Sequence, residues 1–142
     1  MPGLWRLPVA FWEGPERPWL LAEVANELFR ERCQACHGQV APLSDLEVQS
    51  LLPQLHSEWV LRQPVLRRRL TTQNFAIAFA MATEVALLAE REGHHPDMRL
   101  GWGYLEIELT THQAGGLTRN DFVMAAKVDR LAKRGEIAPG PG

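Results

Sequence analysis

Apolar residues recur every three to four positions in three stretches of the chain, which is the spacing of helices that bury one face. The stretches cover residues 18–32, 75–92 and 119–131. In the second stretch, the pattern predicts that the buried face consists of Phe75, Phe79, Ala82, Ala86 and Leu87. The flanking residues agree with these ends, because Asn74 can cap a helix start and Gly93 suits the left-handed position after a helix end.

Two sequence motifs mark further helix starts. Ser44-x-x-Glu47 is a capping box, in which the serine hydroxyl accepts a backbone N–H and the glutamate reaches back, so a short helix is predicted before Pro53. Thr118 and Asp121 have the same spacing and predict the start of the last helix.

Alternation of apolar and polar residues predicts four strands. It is clearest from Tyr104 to His112, and His112 ends the polar face. The core-facing residues of this strand are predicted to be Leu105, Ile107, Leu109 and Thr111, and the other strands are predicted at 59–61, 65–70 and 98–102. The order α-β-β-α-β-β-α predicts an α+β domain, a four-stranded antiparallel sheet with helices packed on one face.

The two ends of the chain differ from its middle. Residues 1–37 are interpreted as an N-terminal arm with an extra helix, residues 38–134 as the domain, and residues 135–142 as a disordered tail. No function is assigned to residues 1–32, and their removal is expected to leave the activity of the domain largely unchanged.

Charge and hydropathy narrow the classes of partner. With a formal net charge of -2, the 142-residue chain gives no indication of binding a nucleic acid or an anionic membrane. The basic triplet at 67–69 is interpreted as a solvated strand end. No apolar run approaches the roughly 20 residues that span a bilayer, and the first residues make a poor signal peptide, so a cytoplasmic location is expected.

The two cysteines form Cys33-x-x-Cys36, and His37 follows them. This spacing occurs in c-type haem attachment, in redox pairs and in halves of zinc sites. Haem attachment requires export, zinc requires four ligands, and a redox pair opens a helix after a strand, so each interpretation conflicts with its context. The preferred interpretation is a helix end that carries two thiols.

Candidate chemistry concentrates between Glu90 and Asp121, a stretch that contains His94, His95 and His112. Histidine exchanges protons near neutral pH. Glu90 lies one helical turn before His94 and is expected beside that imidazole, while either acid is in a position to orient His112. Three interpretations stay open at this point: a metal site, ordinary hydrogen bonds in a polar turn, and acid/base catalysis without metal.

The same stretch resembles the signature of the pterin-4a-carbinolamine dehydratases. That pattern is an acid, three residues, His-His-Pro, five or six residues, an aromatic, nine residues, a histidine, and an aspartate about nine further on. Its positions here are Glu90, His94-His95-Pro96, Trp102, His112 and Asp121. The resemblance covers about residues 43–132.

The resemblance implies an enzyme that dehydrates 4a-hydroxytetrahydropterin to quinonoid dihydropterin and water, without metal or organic cofactor. It implies that His94, His95 and His112 are the acid/base groups. Glu90 is expected to orient His94, and Asp121 to support His112 or the turn beside it.

The resemblance also implies a place for the substrate and a set of partners. The pterin is expected to lie against Thr110 and Thr111, with Trp59 and Trp102 as further contacts, although plain packing is an alternative for both indoles. The family forms homodimers and homotetramers. The alternative function is that of a non-catalytic partner: a transcription-factor dimerisation cofactor, an enzyme-assembly chaperone or a molybdopterin-associated homologue.

Overall fold

Four strands form one antiparallel sheet in the computed structural model, which describes residues 27–35 and 38–137, with side chains to residue 134. The strands are β1 (Val60–Arg62), β2 (Val65–Thr71), β3 (Asp97–Gly101) and β4 (Tyr104–Leu109), in the spatial order β1-β2-β4-β3. The helices are α1 (Asp45–Leu51), α2 (Phe75–Glu92) and α3 (Arg119–Ile137), with 3₁₀ turns at Glu27–Arg30, Leu52–Gln54 and His112–Ala114. The predicted α+β class and its order of elements are confirmed.

The sheet has one buried and one polar face, as the alternation predicts. Leu105, Ile107 and Leu109 of β4 are fully buried against the helices. On the opposite face Arg67 pairs with Glu108, its Nε donating to Oε1 over 2.7 Å. The domain therefore has a single helix-covered core on one side of the sheet.

Arg68 is the exception on the buried face. It lies in β2 between Leu66 and Leu70, so its side chain points inward and is 2% exposed. Its guanidinium donates to Asp129 of α3 over 2.5 Å and to Glu58 over 3.3 Å. The interpretation of the basic triplet as a solvated strand end is wrong for this residue, because strand parity placed it inward and carboxylates compensate its charge.

Local capping fixes both ends of α2. The Asn74 side chain accepts the N–H of Ile77 over 2.9 Å, and Gly93 adopts the left-handed conformation with φ of 66°. The capping box of α1 is likewise present, with Ser44 N–H donating to Glu47 over 2.8 Å. These predicted ends are confirmed.

The predicted buried face of α2 is wrong apart from Ala82. The buried residues are Ala78, Ala82, Val85, Leu88 and Ala89. Phe75, Phe79 and Leu87 are exposed instead, at 50–57%. The helix carries two apolar stripes, and the stripe rich in small side chains is the one that packs on the sheet and α3.

Residues 27–35 pack onto the domain. The helix predicted over 18–32 falls largely outside the described residues, and the described part is a 3₁₀ turn that ends at Arg30, not a helix that continues to Arg32. Leu28 is buried in the core, and the Arg130 guanidinium lies 4.0 Å from the ring centroid of Phe29. The irregular arm, Cys36, His37 and residues 138–142 lie outside the described residues. The prediction of a disordered tail from residue 135 is wrong for residues 135–137, which continue α3 to Ile137.

Candidate active site

The chain reverses where α2 ends, and this reversal places the histidine pair. Gly93 N–H and His94 N–H both donate to the carbonyl of Ala89, over 2.9 and 3.3 Å. This is a left-handed C-terminal cap, in which one carbonyl accepts two N–H groups, and it requires the left-handed residue that glycine supplies. His94 therefore leaves the helix axis and turns toward the start of α3.

His94 contacts a buried carboxylate. Its Nε2 lies 2.6 Å from Asp121 Oδ1, and the two side chains are 11% and 0% exposed. Asp121 Oδ2 accepts the backbone N–H of Thr118 over 2.9 Å and the hydroxyl of Thr111 over 2.8 Å. Asp121 stands in the first turn of α3, where the helix dipole favours a negative charge.

This network fixes the tautomer of His94. An ionised carboxylate only accepts hydrogen bonds, so Nε2 of His94 must carry the hydrogen and donate. In the neutral imidazole the other ring nitrogen, Nδ1, then carries the acceptor lone pair. The arrangement is that of an imidazole oriented by the carboxylate behind it.

Glu90 contacts His95 and not His94, which corrects the predicted pairing. Its Oε1 lies 2.8 Å from His95 Nε2, and the side chains are 75% and 59% exposed. The prediction assumed helical spacing from Glu90 to His94, but the helix ends at Glu92 and Gly93 turns the chain.

The carboxylate of Asp121 binds His94 directly. It reaches the turn beside His112 through the hydrogen bond from Thr111, and a role for it toward His112 stays a prediction. His112 opens the 3₁₀ turn directly after Thr111 and is exposed. It is thus joined to the buried network through its neighbour in the chain.

The two threonines at the end of β4 have different contacts. Thr110 donates its hydroxyl to the carbonyl of Pro64 over 2.7 Å, which ties the strand end to the β1–β2 turn. Thr111 is buried, and its hydroxyl connects Thr118 with Asp121. The prediction treated Thr111 as a backbone contact and missed its hydroxyl, and Thr118 was not predicted as a site residue although the Thr-x-x-Asp spacing indicated it.

Trp59 and Trp102, the two predicted indole contacts, lie in different surroundings. Trp59 is buried, and its indole N–H donates to Asp129 over 2.7 Å. Trp102 is 75% exposed in the β3–β4 turn. The histidine pair precedes Asp97, which pairs with Glu108 at the opposite end of the β3–β4 hairpin from this turn. A single chain therefore does not bring Trp102 to the histidines.

Within residues 27–35 and 38–137, no three His, Cys, Asp or Glu side chains come together in a metal-binding arrangement. In the same part of the chain, no helix combines the length and hydropathy of a membrane span.

The chain belongs to the pterin 4 alpha carbinolamine dehydratase family, whose model matches residues 41–131. A relative from Alkaliphilus metalliredigens is 43% identical over 106 residues, which are 74% of this chain and 96% of the relative. A relative from Methylococcus capsulatus is 43% identical over 110 residues, 76% of this chain and 96% of the relative. Both carry the provisional name pterin-4-alpha-carbinolamine dehydratase.

The fold agrees with a solved structure. A transcriptional coactivator/pterin dehydratase from Brucella melitensis superposes with a TM-score of 0.60 at 28% identity. The match covers 64% of this chain and 98% of that chain. The described domain therefore has the fold of this family.

Proposed function

We propose that the protein is a hydro-lyase that converts 4a-hydroxytetrahydropterin to quinonoid dihydropterin and water. The observation that carries the proposal is the buried His94–Asp121 pair, which lies next in the chain to His95 and is joined through Thr111 to His112. Membership of the dehydratase family supports the substrate class.

The reaction needs two proton transfers. The hydroxyl on C4a departs as water after it takes up a proton, and N5 gives up its hydrogen as the C4a–N5 double bond forms. No electrons enter or leave, so side chains that titrate near neutral pH are sufficient for the chemistry. Histidine is the side chain with that property.

We assign the base role to His94. Nδ1 of His94 accepts the N5 proton, and Asp121 stabilises the imidazolium that results. The more exposed His95 and His112 are then the candidates that protonate the departing hydroxyl, because their rings exchange protons readily with water. Glu90 orients the His95 ring through the 2.8 Å contact between its Oε1 and His95 Nε2.

The test is the rate at which freshly generated 4a-hydroxytetrahydropterin loses water, followed by absorbance against the uncatalysed background. His94→Ala is expected to lower kcat by about 10²- to 10⁴-fold, the usual contribution of a general acid or base. His56→Ala is the matched control, since His56 is an exposed histidine outside the Glu90–Asp121 stretch. A chelator is expected to leave the wild-type rate unchanged.

Two outcomes would count against the proposal. Near-wild-type turnover by a folded His94→Ala protein would remove the base assignment. A folded wild-type protein that does not exceed the background rate would favour the non-catalytic partner function instead.

We also propose that the protein acts as a homodimer or homotetramer. The exposed stripe of Phe75, Phe79 and Leu87 on α2 supports this, because apolar patches of this kind mark interaction surfaces. Phe79→Glu is expected to lower the sedimentation-derived mass of the assembly. A wild-type chain that sediments as a monomer at all concentrations would contradict it.

A further inference from the structure

Residues 31–34, which we call the 31–34 segment, lie outside the family-matched region and contact the start of α3. The Glu31 carboxylate receives two hydrogen bonds from Arg119, over 2.8 and 2.6 Å. The Gln34 backbone N–H donates to Asn120 Oδ1 over 2.9 Å, and the Gln34 carbonyl accepts from Asn120 Nδ2 over 2.7 Å. Both partners, Arg119 and Asn120, immediately precede Asp121.

The same segment contacts the end of α2. The backbone N–H of Cys33 donates to Glu92 Oε2 over 3.0 Å, and Lys127 of α3 lies 3.2 Å from Oε1. Burial works to raise the pKa of Glu92, but the hydrogen bonds from Cys33 and Lys127 and the nearby positive charges outweigh it and hold that pKa below its ordinary value. Glu92 is therefore an ionised anchor two residues before His94.

The segment thus joins the two chain positions from which the buried pair projects. His94 follows the end of α2, and Asp121 lies in the first turn of α3, so their 2.6 Å contact depends on how these two helix ends are placed. Leu28, buried in the core, anchors the segment on its other side. The alignments with the relatives are longer than the stretch 41–131, so similarity continues beyond the family-matched region.

We propose that the 31–34 segment positions the His94–Asp121 pair, and that Glu31, Asn120 and Glu92 are positioning residues of the active site. Where turnover is the readout, the proposal rests on the proposed dehydratase function. It replaces the expectation that residues 1–32 are dispensable. Displacement of a reacting group by about 1 Å lowers turnover by up to about 100-fold, so a segment that sets this contact affects rate without touching substrate.

The test compares Asn120→Ala and Glu31→Gln with Glu27→Gln in the full-length chain. Asn120→Ala removes both hydrogen bonds to Gln34, and Glu31→Gln removes the charge that Arg119 holds. Glu27 is an exposed acid in the preceding 3₁₀ turn and serves as the matched control. Glu31→Gln keeps the shape of the side chain, so it reports even if Asn120→Ala folds poorly.

The first readout is independent of activity. The proton on His94 Nε2, hydrogen-bonded to a buried carboxylate, is expected to give a far-downfield proton resonance that exchanges slowly with water and is absent from His94→Ala. In Asn120→Ala and Glu31→Gln we expect this resonance to shift and its proton to exchange faster with water, whereas Glu27→Gln leaves it unchanged.

The second readout is kinetic. We expect kcat to fall about tenfold in Asn120→Ala and less in Glu31→Gln, with KM nearly unchanged, at a temperature well below the unfolding midpoint. Variants with lower Tm but wild-type resonance and kcat would show a merely structural role and overturn the proposal. If the wild type does not dehydrate the pterin, the resonance alone decides, and the two proposals fail separately.

Discussion

Two imidazole–carboxylate pairs of the same chemistry lie side by side in this molecule and have opposite surroundings. His94 and Asp121 are 2.6 Å apart and buried, while His95 and Glu90 are 2.8 Å apart and largely exposed. Burial makes each member of the first pair dependent on the other, because an unpaired charge inside a protein is costly. In the second pair, water solvates both side chains and screens their charges, so each depends little on the other.

Under the proposed function, the difference separates two roles within one site. The buried carboxylate of Asp121 holds the His94 imidazole in a defined tautomer and orientation. The exposed pair leaves its imidazole able to exchange protons with solvent. Neighbouring histidines in the sequence thus have different partners and exposure, and the left-handed Gly93 between helix and pair directs them to these different environments.

The largest expected effect follows from removal of the charge in the buried pair. Asp121→Asn is expected to lower kcat about 10³- to 10⁴-fold, because the amide no longer selects the tautomer or stabilises the imidazolium. The loss of unfolding free energy is expected to be about 3–5 kcal/mol, measured by urea denaturation. An Asp121→Asn protein with wild-type kcat would show that turnover does not depend on the charge in the buried pair.

A second comparison lies on the same helix end, where Glu92 is nearly buried and Glu90 is exposed. Glu92→Gln is expected to lower the free energy of unfolding at pH 7 by about 1.5 kcal/mol, since hydrogen bonds from Cys33 and Lys127 lose a charged acceptor. Urea denaturation at pH 7 measures this loss. An equal loss in Glu90→Gln would contradict the claim that the larger effect at Glu92 comes from its burial.

The pH dependence of stability sharpens this result. The pKa of Glu92 in the folded protein lies below its ordinary value of 4.5, so its stabilisation is present above that pH and is lost as pH falls through the lower, folded value. Glu31 follows the same rule, because its hydrogen bond with Arg119 lowers its pKa against the effect of burial. The difference between Glu92→Gln and wild type is therefore expected to shrink in acid, and a constant difference would contradict this linkage.

The smallest effect is expected for the exposed pair. Glu90→Gln should change the free energy of unfolding by less than about 1 kcal/mol, as is typical of exposed ion pairs. Its effect on kcat should be only a few-fold, because His95 remains solvated. A Glu90→Gln variant as inactive as Asp121→Asn would show that exposure does not distinguish the two pairs.

Features encoded by neighbouring residues were predictable from the sequence. Asn74 and Gly93 marked the ends of α2, and the alternation in β4 identified its buried face, because both depend on local geometry. The candidate histidines were predicted as one group since they lie within one stretch. The family resemblance added the chemistry that the spacing alone left open.

Features that depend on distant contacts were not predictable in the same way. Helical periodicity predicted one buried face on α2, but the helix carries a second apolar stripe, and contacts with the sheet and α3 decide which of the two is buried. Arg68 looked solvated because its carboxylate partner, Asp129, is 61 residues away. The contacts of Gln34 with Asn120 span 86 residues, so no local pattern indicated them.

The pairing of acids with histidines failed for a geometric reason. Helical spacing placed Glu90 under His94, but the left-handed turn at Gly93 rotates the chain and exchanges the partners. A glycine after a helix end signals that spacing counted across it does not hold.

Chemical rescue of His94→Ala tests the central claim most directly. Dehydration of 4a-hydroxytetrahydropterin would be measured with this variant while imidazole is added in increasing concentration, with wild type in parallel. The account predicts a slow variant whose rate rises with imidazole and a wild-type rate that does not. A folded His94→Ala protein that reaches the wild-type rate without imidazole would contradict it.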